Sequence, residues 1–380
     1  MSSNHFQDDK HFTCLMCGEC CGAWNLPVSN KLKDKLLTYN WVLELLQHKK
    51  TQFIFKNNEF CLPKKNGICI FMDTKDNLCL LHKRLGESLK PKECNRFPFA
   101  FAKDKNNNLY IDTSFYCKSI VRNEGENIKH FLSDEFISSF DLFEFPEKVL
   151  LSPELSIDYS ILNNIRINLS NYLIDNFNNE TINNYDIVLY RGFIALKYIE
   201  KTLINNMEIN FTQIFKDCDS LAINKKKLIG KLNFLTTLFI RKNSIIAGLI
   251  CLKLKYSKYI EPIIAEPIDL KKLEKTTISE YDDSKKLIKH YLIDIINRKI
   301  LLAHKHSAIG IFTATIIAYS FIIWYSKALA VVDGKSQVEQ FHIELAIRIT
   351  ERYYIGHNVK FMERVRKKNS LYLLNAFLKF

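Results

Sequence analysis

Four cysteines stand in one short run, Cys14-Leu-Met-Cys17-Gly-Glu-Cys20-Cys21, and five more follow as Cys61, Cys69, Cys79, Cys94 and Cys117. Each two-residue spacing lets two sulfurs face one centre from a single tight loop. Tetrahedral zinc sites and iron–sulfur clusters use this geometry. Cys14, Cys17 and Cys20 share the spacing of loops that hold a 4Fe–4S cluster by three cysteines and take the fourth from elsewhere. Gly18 and Gly22 supply the backbone freedom such a turn needs. Cys20 and Cys21 are neighbours, and neighbouring side chains diverge, so one of them faces a second site or is spare. The remote ligands expected are Cys69, Cys79, Cys94 and Cys117. Cys61, within Glu59-Phe60-Cys61-Leu62, reads as a strand residue and is left out. The predicted metal ligands are therefore Cys14, Cys17, Cys20, Cys21, Cys69, Cys79, Cys94 and Cys117. Eight ligands would fill two four-coordinate sites. The metal expected is iron in a 4Fe–4S cluster, or zinc.

The same residues carry a resemblance. The CxxCxxCC run is followed by Gly67-Ile-Cys69-Ile-Phe, by Cys79-Leu-Leu-His82 and by Lys90-Pro91-Lys-Glu-Cys94-Asn-Arg96-Phe-Pro98. Over Phe12 to about Cys117 this order and spacing resembles the YkgJ-type cysteine-cluster family, described as a zinc- or iron-chelating domain. That family includes flagellin lysine N-methylases. Lys90 stands where the family more often has Arg. The resemblance implies a metal centre, with a 4Fe–4S cluster as one form. It suggests methyl transfer from S-adenosylmethionine to a protein lysine, with a protein substrate as partner. It assigns no catalytic residue and no S-adenosylmethionine site in this chain. The rival reading is a non-enzymatic interaction module folded by structural zinc, and a third is metal storage or delivery.

Nearby residues carry less. His82 lies three after Cys79 and is expected to pack or to orient a ligand rather than to bind metal. Lys90 and Arg96 would offset thiolate charge. Glu19 reads as a solvated residue. His304 and His306 would point to different faces of a helix and read as structural.

The scaffold expected is mainly α. A small irregular α+β, cysteine-rich module covers residues 1–125 and an α-helical domain covers 126–380. Pro27, Pro63, Pro91 and Pro98 punctuate the first part, with turns at Lys65-Asn66-Gly67 and Asp76-Asn77. Strands are expected at Gln52–Phe55 and Asn108–Asp112, and a helix over Lys31–Lys49. Later, helical periodicity marks Asn127–Phe140, Ile157–Asn176, Ile187–Asn206, Leu228–Tyr256, Glu280–His304, Ile309–Val332, Val338–Tyr354 and Val359–Leu378. Cys218 and Cys251 read as small buried apolar residues. The aromatics Phe321, Trp324, Tyr325, Tyr353 and Tyr354 read as core.

Composition excludes several classes. No two of the eleven glycines are separated by one residue, so the chain has neither GxGxxG nor GxxxxGK[ST]. GxSxG and HExxH are also absent. The net charge of +13 favours anionic partners, but the bases are scattered and the densest runs, Lys225–Lys227 and Arg364–Lys368, have no interleaved aromatics. Nucleic acid is not the expected partner. The polar start, Met1–Lys10, lacks the apolar stretch of a secretory signal, so a cytoplasmic location with reduced thiols is expected. Ser307–Ser326 is uncharged and long enough for a bilayer, yet its five Ser and Thr residues favour a buried core helix. Membrane association through it stays open at this stage.

Overall fold

The structure is a computed structural model. It describes residues 10–356, apart from 57, 141, 231, 233–257, 261–262 and 279. The helices expected at Leu228–Tyr256, for most of its length, and at Val359–Leu378 lie outside the described residues, as does the basic run Arg364–Lys368. The protein is mainly α, with the strands short and gathered in small sheets. It divides into two compact units. One comprises Met1–Ala100 with Tyr116–Asp141, the other Phe101–Phe115 with Leu142–Phe380.

The first unit has a thin core. Val28, Leu36, Val42, Phe71 and Leu81 are buried together, and Cys69 lies among them. Pro27–Val28 and Ile54–Lys56 flank Glu59–Cys61 in an antiparallel sheet, with Pro27 and Ile54 both opposite Cys61. Lys64–Lys65 and Ile68–Cys69 form a tight hairpin whose turn residues Asn66 and Gly67 both have positive φ, the twist that an Asn-Gly turn supplies. The helix expected over Lys31–Lys49 is two helices, Asn30–Leu37 and Asn40–Lys49. Tyr39 between them is extended, and the break lets both Leu36 and Val42 reach full burial. His11–Phe12 pairs antiparallel with Glu126–Asn127 and closes the unit. Gly125, at φ 108°, allows it: a Cβ there would lie 2.4 Å from the Phe12 carbonyl oxygen.

The second unit is a helical bundle. Tyr159–Asn179, Tyr185–Ile204, Asp282–Asn297 and Gln340–Thr350 pack around Ala308–Val332 or around one another. Ala308–Val332 is long and apolar enough to cross a membrane, but 78% of its apolar window is buried in the bundle. Its Ser and Thr hydroxyls bond to the helix's own backbone. Thr313, Thr315 and Ser326 donate to the carbonyls four residues before them, and Ser307 caps the N-terminus by accepting the Gly310 N–H. Phe321, Tyr325 and Tyr354 are core residues, with the Tyr325 and Tyr354 hydroxyls 2.9 Å apart.

Two more expected helices are interrupted. Asn127–Phe140 is two short helices, Ile128–Phe131 and Asp134–Ser138, separated where Ser133 caps the second. Glu280–His304 becomes Asp282–Asn297 and Lys299–Ala303, with Arg298 extended between them. Distant residues make the second break. Arg166 donates to the freed carbonyls of Ile296 and Arg298, and Asp112 accepts the Ile300 N–H at 2.7 Å.

Candidate metal centre

The cysteine run is a turn built by local chemistry. Met16 and Gly18 both have positive φ, and Gly18 is the position where this is free of strain. A Cβ on Gly18 would lie 2.6 Å from the Met72 sulfur, so the loop also needs the missing side chain. The Cys21 and Gly22 N–H groups donate back to the Gly18 and Glu19 carbonyls and start the Cys20–Ala23 helix.

Four other segments bring their cysteines to this loop. Cys69 ends the hairpin strand Ile68–Cys69. Cys79 faces Met72 across an isolated bridge and caps the helix Leu80–Leu85. Cys94 lies in the short helix Lys92–Arg96, and Cys117 caps the helix Lys118–Arg122. Pro91, Cys79 and Cys117 all precede their helices in extended conformations, so the chain turns sharply at each thiol or just before it.

All eight predicted cysteines line one cavity of about 580 Å³. Cys61 does not; it is buried in its strand. Cys14 and Cys17 are exposed, Cys69 is buried, and the other five are half-buried. The remaining wall mixes aromatic, aliphatic and polar side chains, and here sequence reasoning missed residues. Trp24 packs against Phe97 and Tyr116, at 5.4 and 5.1 Å between ring centroids. Phe99 and Phe136 also face the space. Trp24, four residues after Cys20, was the one local signal; Tyr116 and Phe136 reach the wall only through the fold.

The thiols raise one another's proton affinity. Cys20 is pushed up by its hydrogen bond with Cys21 and by burial. Burial pushes Cys94 up, with Cys69, Cys79 and Cys20 adding to it and the Lys90 ammonium opposing it. Burial moves Cys69 and Cys117 up to about 11 each. Backbone N–H groups work against that: Phe71 donates to the Cys69 sulfur, and Ile120 and Ser119 to the Cys117 sulfur. Lys90 lines the cavity as a cation, as expected, while Arg96 is not part of the wall. His82 is exposed at the rim and Glu19 is half-buried in the wall. His304 lies in the second unit with its ring against Phe143.

This donor set fits a thiophilic cation. Soft thiolates select zinc, copper(I) and iron–sulfur centres over hard cations, and a nearby cation removes the mutual penalty the thiols impose. Among the described residues no group of three or more Cys, His, Asp or Glu side chains stands in metal-binding geometry. Closure onto a metal therefore requires the thiols to move inward, as in sites where binding and folding are one event.

Fold and site together define a helical protein with an N-terminal cysteine-lined chelating module. Residues 13–118 match the CxxCxxCC family model, described as "Putative zinc- or iron-chelating domain". The N-terminal module thus matches that family over the span where the sequence resemblance lies. No curated protein and no solved structure matches the chain.

Proposed function

We propose that the cavity holds an iron–sulfur cluster or zinc in its eight thiolates, and that the protein works in the reducing cytoplasm. One observation carries this: cysteines from five separate segments converge on a single cavity, while Cys61 stays outside it. Packing alone does not favour that selection, since buried thiols behave as small apolar residues and have no reason to gather.

The finer reading is a protein-lysine N-methyltransferase using S-adenosylmethionine. Its support is the family resemblance, together with a centre open to solvent at Cys14 and Cys17. A bound cluster would supply a coordination or redox centre beside the transferable methyl group. This chain's part is to hold the cluster, to balance its charge with Lys90 and to exclude water with Trp24, Phe97 and Tyr116. The protein substrate would be held by the helical unit.

Metal and acid-labile sulfide analysis of anaerobically purified protein, beside Cys17→Ser, tests the first reading. Iron and sulfide lost in the variant support the cluster. Zinc without sulfide reassigns the module as a structural scaffold. No bound metal in either sample ends the proposal. Incubation with methyl-labelled S-adenosylmethionine and cell extract tests the second. No labelled protein band would rule methyl transfer out.

A further inference from the structure

We infer that the eight cavity cysteines form two centres of unequal exposure, a buried one from Cys21, Cys69, Cys79 and Cys94 and an open one from Cys14, Cys17, Cys20 and Cys117. The inference rests on the reading of the cavity as a metal site and divides that site.

The two ends of the cysteine run are tied to different parts of the module. At its start, the Thr13 N–H donates to Ser119 Oγ at 2.9 Å and the His11 N–H to Asn123 Oδ1 at 2.8 Å. The Tyr116 hydroxyl reaches the Glu19 carbonyl at 3.4 Å. These bonds hold the run beside the segment that presents Cys117. At its other end, the Gly22 carbonyl accepts Lys64 Nζ at 3.3 Å, and a Cβ on Gly22 would lie 3.6 Å from the Gly67 carbonyl oxygen. Lys64 pairs directly with Cys69 across the hairpin. The Met72–Cys79 bridge then keeps Cys79 at the exit of that hairpin.

Packing divides the thiols the same way. Cys21, Cys79 and Cys94 pack against the apolar cluster in which Cys69 is buried, and Cys14, Cys17, Cys20 and Cys117 do not. Cys20 and Cys21, adjacent on one helical turn and hydrogen-bonded to each other, are where the two groups meet: Cys21 packs on the apolar cluster and Cys20 does not. Closed four-thiolate sites act structurally, whereas accessible ones exchange or react. The buried centre therefore folds the module, and the open centre, with Cys14 and Cys17 exposed, is where metal exchanges or chemistry occurs.

Iodoacetamide labelling of the metal-loaded full chain, with EDTA raised in steps and each cysteine read by peptide mass, tests the division. Cys14, Cys17, Cys20 and Cys117 should label together as the first portion of metal leaves. Cys21, Cys69, Cys79 and Cys94 should stay protected until EDTA is at least tenfold higher. A Cys117→Ser variant should lose the first portion of metal and keep the protection of Cys69 and Cys94. Labelling of all eight in one step with a single loss of metal would overturn the division and leave the metal reading intact, as would exposure of Cys69 and Cys94 in the variant. A chain that carries no metal, with its thiols unprotected from the outset, would instead overturn the metal reading itself. If the variant does not fold, the wild-type labelling order alone decides.

Discussion

Arg298 Nη1 donates to both carboxylate oxygens of Glu351, at 2.9 and 3.0 Å, and its Nε holds Asp294 at 2.8 Å. Arg298 is 4% exposed and Glu351 1%. The Tyr291 hydroxyl completes the set by donating to Glu351 at 3.0 Å. Burying such a pair gains little over an apolar pair, but removing one partner strands the other charge.

Glu351→Ala should therefore destabilise the helical unit by about 3–5 kcal/mol. Urea denaturation followed by circular dichroism measures this. A paired replacement, Arg298→Met with Glu351→Leu, should cost clearly less than the two single losses added. Additive losses would mean the two side chains are not coupled.

Asp186 gives the same unit a pH dependence. It is buried near the start of the Tyr185–Ile204 helix, and burial raises its carboxyl from 3.8 to about 6. The folded form thus binds a proton more tightly than the unfolded chain. Stability contributed by this group is greatest below about pH 4, falls as the pH rises through 6, and is level above that. Asp186→Asn should remove the slope and gain up to about 3 kcal/mol at pH 7 relative to the wild type. Denaturation of both proteins at about pH 5 and pH 7, roughly one unit on either side of the folded-state titration, checks it. An unchanged difference between them would disprove the assignment.

Gly18→Ala should strain the cysteine turn. Its φ of 69° and the 2.6 Å approach to the Met72 sulfur both count against a Cβ. The cost should be about 1–3 kcal/mol, which corresponds to a roughly five- to 150-fold loss of metal affinity. Competition with a chromophoric chelator reads that change; undiminished affinity would mean the turn plays no part in loading.

Metal removal should act on one unit. Amide protection across residues 10–100 and 116–140 should fall at least about a hundredfold on chelation, because the core there is thin and metal binding supplies folding energy. Protection of Ala308–Val332, buried in its own helical core, should be unchanged. Hydrogen exchange with mass readout separates the two. Uniform loss along the chain would contradict this.

Residue identity and local periodicity determined a good part of this protein. Ligand-type side chains at fixed short spacings can be read without a fold, because a turn such as Cys14–Cys21 is built from contacts within itself. The long helices are legible for the same reason: apolar residues recurring each turn need only a core to face, as in Ile309–Val332 against the observed Ala308–Val332. Tertiary contacts decided what local pattern could not express. The helix through Arg298 is cut by Arg166 and Asp112, which lie more than a hundred residues away and capture its freed backbone groups. The gathering of eight thiols on one cavity depends on Thr13 reaching Ser119, on Lys64 reaching Gly22 and on Met72 pairing with Cys79. Such contacts bind residues with no shared periodicity, so their energy is set by the folded geometry alone.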